Sequence, residues 1–421
     1  MRTTRRSFLR ASSGLVAATA IPRGAEGAAY RVGIGRESDP YAATVRAIDA
    51  SSGWLRERIF GKTVVIKPNL VSAMTADSGV TTDPEVVRAI VDRALGDGAA
   101  EVLIVEASPQ GAWFSPCGYD GFGTYGPRVR LVDLAQQPLV LAPTPLRLAY
   151  DAVFVAPALI ASDVFFVSAA KLKTHGDAIA TLAMKNLFGL PAIDRYISSP
   201  AVGRFAMHDR SVHQTIVDLN ALRPVDFAVV DGIVGMEGNG PLSGTPVRMD
   251  TVIAGANACA VDRVALIAMG LPQRLVRHLD LAAAHGLGPA DVSSIEIAGD
   301  ALEPRAFAWP PVPPIIEHPR VWPASFNPAA SQTVQIFGWY RHTCVRKLEV
   351  LRLYDDTPQV DLVKTLIPSG VRQAGVERAL WDGRGDDGVV VSPGRYGVHV
   401  RAVHASLQGR PSDAIGWVTV V

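Results

Sequence analysis

Val64-Val65-Ile66-Lys67-Pro68-Asn69, then Thr81-Thr82-Asp83-Pro84-Glu85-Val86-Val87, then Val102-Leu103-Ile104-Val105-Glu106 decide the fold when read in that order. The first is a short β-branched run of the kind that forms a buried strand. Asp83 is a side-chain acceptor placed just before Pro84, which pairs an N-cap with proline at the first helical position. Val86, Val87, Ile90, Val91, Ala94 and Leu95 then recur at helical spacing until Gly96 and Gly98 end the pattern. A second apolar strand follows at Val102–Val105, so the segment reads as strand, helix, strand.

The same alternation continues outward. Val164–Val167 and Phe227–Val230 are further continuous apolar runs, the pattern of parallel strands covered on both faces. Helices are expected at Ile179–Phe188, Ser211–Leu222, Cys259–Met269 and Gln273–His285. From residue 30 to 303 the chain is therefore expected to be an α/β domain, a mainly parallel sheet with helices on both faces. A proline-rich stretch at 304–325 cannot continue a helix or a central strand and reads as a stiff linker. Beyond it, residues 326–421 show period-2 stretches such as Thr333–Phe337 and Tyr396–Ala402 between Gly, Pro and Asp turns, the pattern of a small all-β sandwich.

The 421 residues carry 41 Lys+Arg against 40 Asp+Glu, a net charge of +1, with 48% apolar residues. That balance excludes a polybasic nucleic-acid binder, so nucleic acid is not expected among the partners. Cys117, Cys259 and Cys344 lie far apart with no Cys-x-x-Cys pair, which argues against an iron–sulfur cluster. Residues 1–29 combine Thr4-Arg5-Arg6-Ser7-Phe8-Leu9-Arg10, a short apolar stretch and small residues at Ala25–Ala29. This resembles a twin-arginine export signal, which implies the twin-arginine machinery as a partner and a periplasmic or extracellular location. No later segment reads as transmembrane, so no transmembrane anchor is expected.

Polar residues follow the strands in order: Lys67-Pro68-Asn69, Glu106, Lys171-Leu172-Lys173-Thr174-His175, and Asp231-Gly232. In an open parallel sheet the carboxyl ends of the strands form one edge, where ligands bind. Lys67, Lys171, Lys173 and Lys185 then gather on one rim, and an anionic small molecule bearing phosphate or carboxylate is the economical ligand. Lys171 and Lys173 alternate and so point to one side. Read singly, each lysine is equally an ordinary strand-end charge, and Lys185 equally a complement to a helix dipole.

Lys173 and His175 are the catalytic candidates, His175 as acid/base or as a metal ligand, or equally as a histidine that satisfies a loop hydrogen bond. His208 and His213 flank a helix start and are weaker candidates for the same site. Asp231 and Glu237, in the glycine-rich run Asp231–Pro241, are candidate oxygen ligands for a divalent cation, and the backbone of that run could cradle an anion; a plain loop without chemistry is the alternative. No Gly-x-Gly-x-x-Gly fingerprint, Gly-x-Ser-x-Gly or His-Glu-x-x-His is present.

Three stretches, Val64–Val71 with Thr81–Val87, Lys171–His175 with Met184–Gly189, and Asp231-Gly232 with Glu237–Pro241, together resemble the bacterial and archaeal family called domain of unknown function 362 over roughly residues 60 to 300. Asn69, Asn186 and Asn239 lie in these stretches and join the ligand-binding candidates. Members are often fused to four-iron ferredoxin modules, so the resemblance implies redox or metal chemistry; this chain lacks the cysteines of that form. Ala379–Gly388 and Ser392–Tyr396 resemble the Ig-like repeat of flagellar hook-capping (FlgD-like) proteins, which implies a sandwich in which Trp381 packs and hairpins close at the Asp-Gly turns and at Pro393–Tyr396; in the binding-protein alternative this unit docks to a surface or partner. The leading expectation is an exported enzyme acting on an anionic ligand. A non-catalytic binding protein, or a redox protein whose cofactor is loaded before export, are the alternatives.

Overall fold

The computed structural model describes residues 30–107, 113–196, 207–208, 211–310, 319–340, 343–354, 360–403 and 411–421. The residues read as an export signal lie outside these.

The α/β unit contributes β1 (Tyr30–Arg36), β2 (Thr63–Pro68), β3 (Glu101–Glu106), β4 (Val129–Asp133), the pair β5 (Val140–Pro143) and β6 (Ala152–Val155), then β7 (Val164–His175), β8 (Ile179–Thr181), β9 (Phe227–Glu237), β10 (Thr245–Gly255) and β11 (Ile295–Gly299). Among the described residues one large sheet runs in the order β11-β1-β10-β9-β7-β2-β3-β4, with β8 folded back on β7. β9, β7, β2, β3 and β4 are parallel in succession, as are β1 and β11, while β10 runs antiparallel to both its neighbours. The four apolar runs expected as parallel strands are β2, β3, β7 and β9, adjacent at the centre of the sheet.

Alternation along these strands feeds two cores. Val64, Ile66, Phe165, Val167 and Val229 face the helices Pro40–Ala50 and Pro84–Gly96. Val65, Phe166, Ala170, Leu172, Ala228 and Val230 face the helices Val212–Leu222, Ala258–Ala268 and Arg277–Ala284. Asp83 caps the helix Pro84–Gly96 by accepting from the Glu85 amide at 2.8 Å. At Gly33 and Gly35 the helix Pro40–Ala50 lies so close that a Cβ would stand 2.1 Å from the Ala47 carbonyl oxygen and 1.9 Å from that of Ala43, so only glycine fits.

Two expectations are corrected. No helix spans Ile179–Phe188: β7 runs on to His175, β8 pairs back against it, and only Ala183–Asn186 is helical, followed by a 3₁₀ turn at Leu187–Gly189. Likewise Asp231–Glu237 is not a loop, because β9 continues to Glu237 with β10 paired along it. In both places the polar ends of the runs are strand interior, held by neighbours on either side, and the apolar pattern alone stops short of them.

After β11 the chain returns to the α/β unit, where Phe307 is buried and donates its amide to the Met269 carbonyl at 3.0 Å. The β-rich remainder holds β12 (Arg320–Trp322), β13 (Ser325–Phe326), β14 (Val334–Tyr340), β15 (Cys344–Leu353), β16 (Val360–Arg372), β17 (Gly375–Trp381), β18 (Gly394–Val403) and β19 (Pro411–Val420). β12 thus begins inside the stretch read as linker. Two mainly antiparallel sheets, β12-β14-β17 and β13-β19-β18-β15-β16, share one core of Phe326, Ile336, Leu348, Trp381, Tyr396, Val398 and Val418.

Candidate functional site

The carboxyl ends of β2, β3, β7 and β9 carry a cluster of buried charge. Lys67, the penultimate residue of β2, donates to both carboxylate oxygens of Glu106 at 2.9 Å, and Glu106 also accepts the amides of Leu70 and Ala107 at 3.0 and 2.9 Å. Lys171 on β7 stands level with Asp231 on β9 and donates to it at 2.7 Å. Asp231 accepts two more amides, from Asp83 at 2.8 Å and Ile233 at 3.0 Å, which ties the start of the helix Pro84–Gly96 to the sheet. Burial, then the Asp231 charge, raises the Asp83 carboxyl above its ordinary value. Buried ion pairs persist only when their remaining lone pairs are satisfied, and here both carboxylates are.

Lys173 differs. It is wholly buried and donates to the Val80 carbonyl oxygen at 2.6 Å. Burial pushes its ammonium well below the ordinary lysine range; the charges of Lys171, Lys185 and Lys67 push the same way, and Glu106 opposes them. Thr181 lies opposite Lys173 across the β7–β8 pair, so both side chains emerge on one face. The Thr181 hydroxyl is buried with no hydrogen-bond partner among the described residues, and so is Oδ1 of Asn69.

Asn186 holds the neighbourhood together. Its Nδ2 donates to the Lys67 carbonyl at 2.9 Å and to the Ser168 hydroxyl at 3.1 Å, while its Oδ1 accepts from Asn69 at 3.1 Å. Asp262 accepts the amides of Ala183 and Met184, at 2.7 and 2.9 Å, and so fixes the start of the helix that carries Lys185 and Asn186. Burial raises its carboxyl to about 7, against the pull of those two amides. A Cβ on Gly189 would stand 2.5 Å from Cε of Lys67, so glycine lets this turn close over the Lys67–Glu106 pair.

An aromatic path leads outward. The Lys185 ammonium lies 3.8 Å from the Phe188 ring centre, Phe188 lies 4.6 Å from the His208 ring, and His208 stacks on His175 at 5.6 Å with 11° between planes. His175 accepts the amides of Asp177 and Ala178 on Nδ1, at 3.1 and 3.3 Å. His175, Asp177 and His208 place one ligand atom each within 4.8 Å of one another, a candidate His/Asp metal triad. Two imidazoles and one carboxylate are a donor set that zinc and non-haem iron(II) accept. A cation taking Nδ1 of His175 would displace two neutral hydrogen bonds worth about 1 kcal/mol each. Structural zinc sites in finger peptides gain roughly 10 kcal/mol or more. The amides therefore orient the ring without barring a metal.

Lys67, Asn69, Lys171, Lys173, Lys185 and Asn186 are thus brought to one neighbourhood, with His175 at its edge. Asp231 and Glu237 are not brought to one cation. Asp231 is taken up by Lys171 and two amides, whereas Glu237 accepts the Ala308 amide at 2.7 Å and pins the segment after β11. Asn239 lies in the turn after β9, which rests on the end of β7 through a bond from the Gly176 amide to the Gly240 carbonyl at 3.2 Å. His213 pairs instead with His278, Nδ1 to Nδ1 at 3.1 Å. Asp177 and Thr181 were not among the sequence candidates; the His175-x-Asp177 spacing was the available signal for the first. The cysteines are free thiols in three separate cores.

The fold and this cluster define an α/β protein with buried lysines at the carboxyl ends of parallel strands. Residues 64–266 match the family described as domain of unknown function (DUF362), a span that contains all the site residues above. A thylakoid-associated protein of Synechocystis, sll1697, is 28% identical over 216 residues, which are 48% of this chain and 62% of that protein. The chain therefore spans about three-fifths of the length of this curated relative. Among solved structures, an alkylpurine DNA glycosylase of Pseudomonas fluorescens bound to DNA with an abasic-site analogue aligns over 25% of this chain and 29% of its own, at 15% identity and a TM-score of 0.18. A β-glucosidase of Erythrobacter marinus aligns over 93% and 49%, at 11% identity and a TM-score of 0.16. Scores this low carry no information about fold or activity. No helix among the described residues is long and apolar enough to cross a membrane.

Proposed function

We propose that this chain is an enzyme that binds a small anionic molecule, bearing phosphate or carboxylate, at the carboxyl ends of β2, β7 and β9. One observation carries the reading: Lys173 is a fully buried amine whose one described hydrogen-bond partner is a carbonyl, beside the buried Lys185 and the unsatisfied Thr181 hydroxyl. Burying an ammonium against a single carbonyl acceptor, as at Lys173, is costly, and an anion beside it offsets that cost. Lys67 and Lys171 are neutralised by Glu106 and Asp231, so they act as a scaffold and leave the ligand to Lys173. The unsatisfied Oδ1 of Asn69 calls for a donor, so the ligand should carry a hydroxyl or amine as well as its anionic group. Lys173 then stands as the group that moves a proton on it, with His175 at the edge of the site.

A calorimetric screen of phosphorylated and carboxylated hydroxy- and amino-metabolites tests this. Wild type should bind at least one, and Lys173→Met should weaken that binding by about 100-fold while remaining folded. Equal behaviour of the two proteins across the screen would remove the anion site. Binding without turnover of the bound compound would leave a capture protein in place of an enzyme. The signature Thr4–Arg10 supports export by the twin-arginine route to the periplasm or beyond, with the β-rich unit as a docking module there. Replacing Arg5 and Arg6 by lysine should then retain the protein in the cytoplasm, and unchanged export would refute that route.

A further inference from the structure

We infer that His175, Asp177 and His208 form a binding site for one divalent transition-metal ion, of the zinc or iron(II) kind, at the outer edge of the lysine cluster. The site is distinct from the Asp231–Glu237 pair that the sequence suggested, and it does not depend on the anion reading. Three observations converge on it.

The donors are already gathered, with ligand atoms within 4.8 Å of one another in the order nitrogen, oxygen, nitrogen. Metal bonds of about 2.0–2.2 Å place adjacent ligands roughly 3–4 Å apart, so modest side-chain rotation closes the set. The donors are also graded in burial: His175 is buried, while Asp177 and His208 are half-buried and so reachable by an ion from solvent. Three protein ligands are the number of catalytic zinc, against four in structural sites.

The rings are also held in place. His175 sits at the last position of β7 with its ring fixed by the amides of Asp177 and Ala178. His208 is packed between His175 and Phe188, and Phe188 in turn lies against Lys185. Preorganised rings lose little freedom on ligation, which favours a metal over a solvated surface pair. Because Lys173 and His175 alternate along β7, a cation here shares its edge of the sheet with the buried amine. A ligand oxygen reaching from the lysine cluster toward the triad would meet the metal. The metal would then act as a Lewis acid on a carboxylate, phosphate or adjacent carbonyl oxygen.

The experiment uses the whole chain, stripped with a chelator and titrated with Zn²⁺ alone by calorimetry. Retention after native purification is measured in parallel by elemental analysis. Wild type should take up one equivalent of metal. His175→Ala and His208→Gln should each weaken uptake by at least about 100-fold, and Asp177→Asn by about 10-fold. Glu237→Gln should bind as wild type does. If His175→Ala fails to fold, His208→Gln decides, because its side chain is half-buried. No stoichiometric binding to wild type, or binding that His208→Gln leaves intact, would overturn the site. Because no substrate is present, failure here leaves the anion proposal standing, and failure of that screen leaves the metal site standing.

Discussion

The two halves of the molecule handle burial in opposite ways. In the β-rich unit the core is aromatic and aliphatic: Trp381 lies 5.4 Å from Phe326 and 5.5 Å from Tyr396, and its indole N–H donates to the Arg384 carbonyl at 2.9 Å. The apolar and aromatic core residues described there are explained by packing and local hydrogen bonds. In the α/β unit the buried side chains include Lys67, Glu106, Lys171, Lys173, Asp231 and Asp262. Hydrophobic residues of similar volume would serve stability as well or better at such positions. Among the described residues the fully buried ion pairs lie in the α/β unit, where the proposed chemistry is placed.

The largest expected effect tests that contrast directly. Lys171→Met should cost about 3–5 kcal/mol in urea unfolding, because it strands the Asp231 carboxylate in the interior. Asp231→Asn should be similarly costly. The double variant Lys171→Met/Asp231→Asn should recover much of the loss, so the two costs should be strongly non-additive. Additive losses would mean that the pair is not coupled and that the contrast between the halves is only one of composition.

Next in size is a pH effect at Asp262. Its folded pKa, about 7, lies above its ordinary value of 3.8, so the folded state holds the proton more tightly than the unfolded chain does. The associated stability is fully present below about pH 4 and is lost as pH rises through about 7. Asp262→Asn, which keeps an oxygen for one of the two amides and sets its own NH2 against the other, removes the titration at a cost that does not vary with pH. Relative to that variant, wild type should lose on the order of 3–4 kcal/mol between pH 4 and pH 8. Thermal unfolding of both proteins across that range measures the difference, and a flat difference would show that the carboxyl is not shielded as its burial indicates.

Much of the contrast was legible in the sequence. The central parallel strands, the Asp83-Pro84 helix start and the gathering of Lys67, Lys171 and Lys173 followed from apolar runs and from what stood at their ends. What stayed hidden was which charge neutralises which. Glu106 lies 39 residues from Lys67 and Asp231 lies 60 from Lys171, and only strand register brings them level. Lys171-x-Lys173-x-His175 and Asp231–Glu237 read as strand ends and loop because their polarity masks a strand interior. β7 lies between β2 and β9, so its polar end is paired along its length and not frayed into solvent. The triad was out of reach because His208 arrives from 33 residues beyond His175, with no periodicity linking them.

The smallest expected effect concerns how the two halves meet. Trp417 on β19 donates to the Leu148 carbonyl at 2.5 Å, and Arg395 on β18, 4.0 Å over the Trp417 ring, reaches Asp151 and the Arg147 carbonyl. From the other side Asp218 accepts the amides of Leu148, Ala149 and Tyr150 at 2.9, 2.6 and 3.0 Å. The segment 147–151 is therefore gripped by the β-rich unit outside and by the helix Val212–Leu222 beneath. That helix also carries Asn220, whose side chain donates to the Met184 carbonyl at 3.0 Å beside Lys185. Trp417→Phe keeps the ring and deletes one hydrogen bond, so it should lower stability by about 1 kcal/mol. Arg395→Ala, which breaks a half-exposed ion pair, should cost about as little. Neither should alter metal uptake or anion binding if the β-rich unit only docks on the α/β unit. A drop in either binding with Trp417→Phe would show instead that the contact at 147–151 is transmitted through the helix Val212–Leu222 to the lysine cluster, and the two halves would then act as one device.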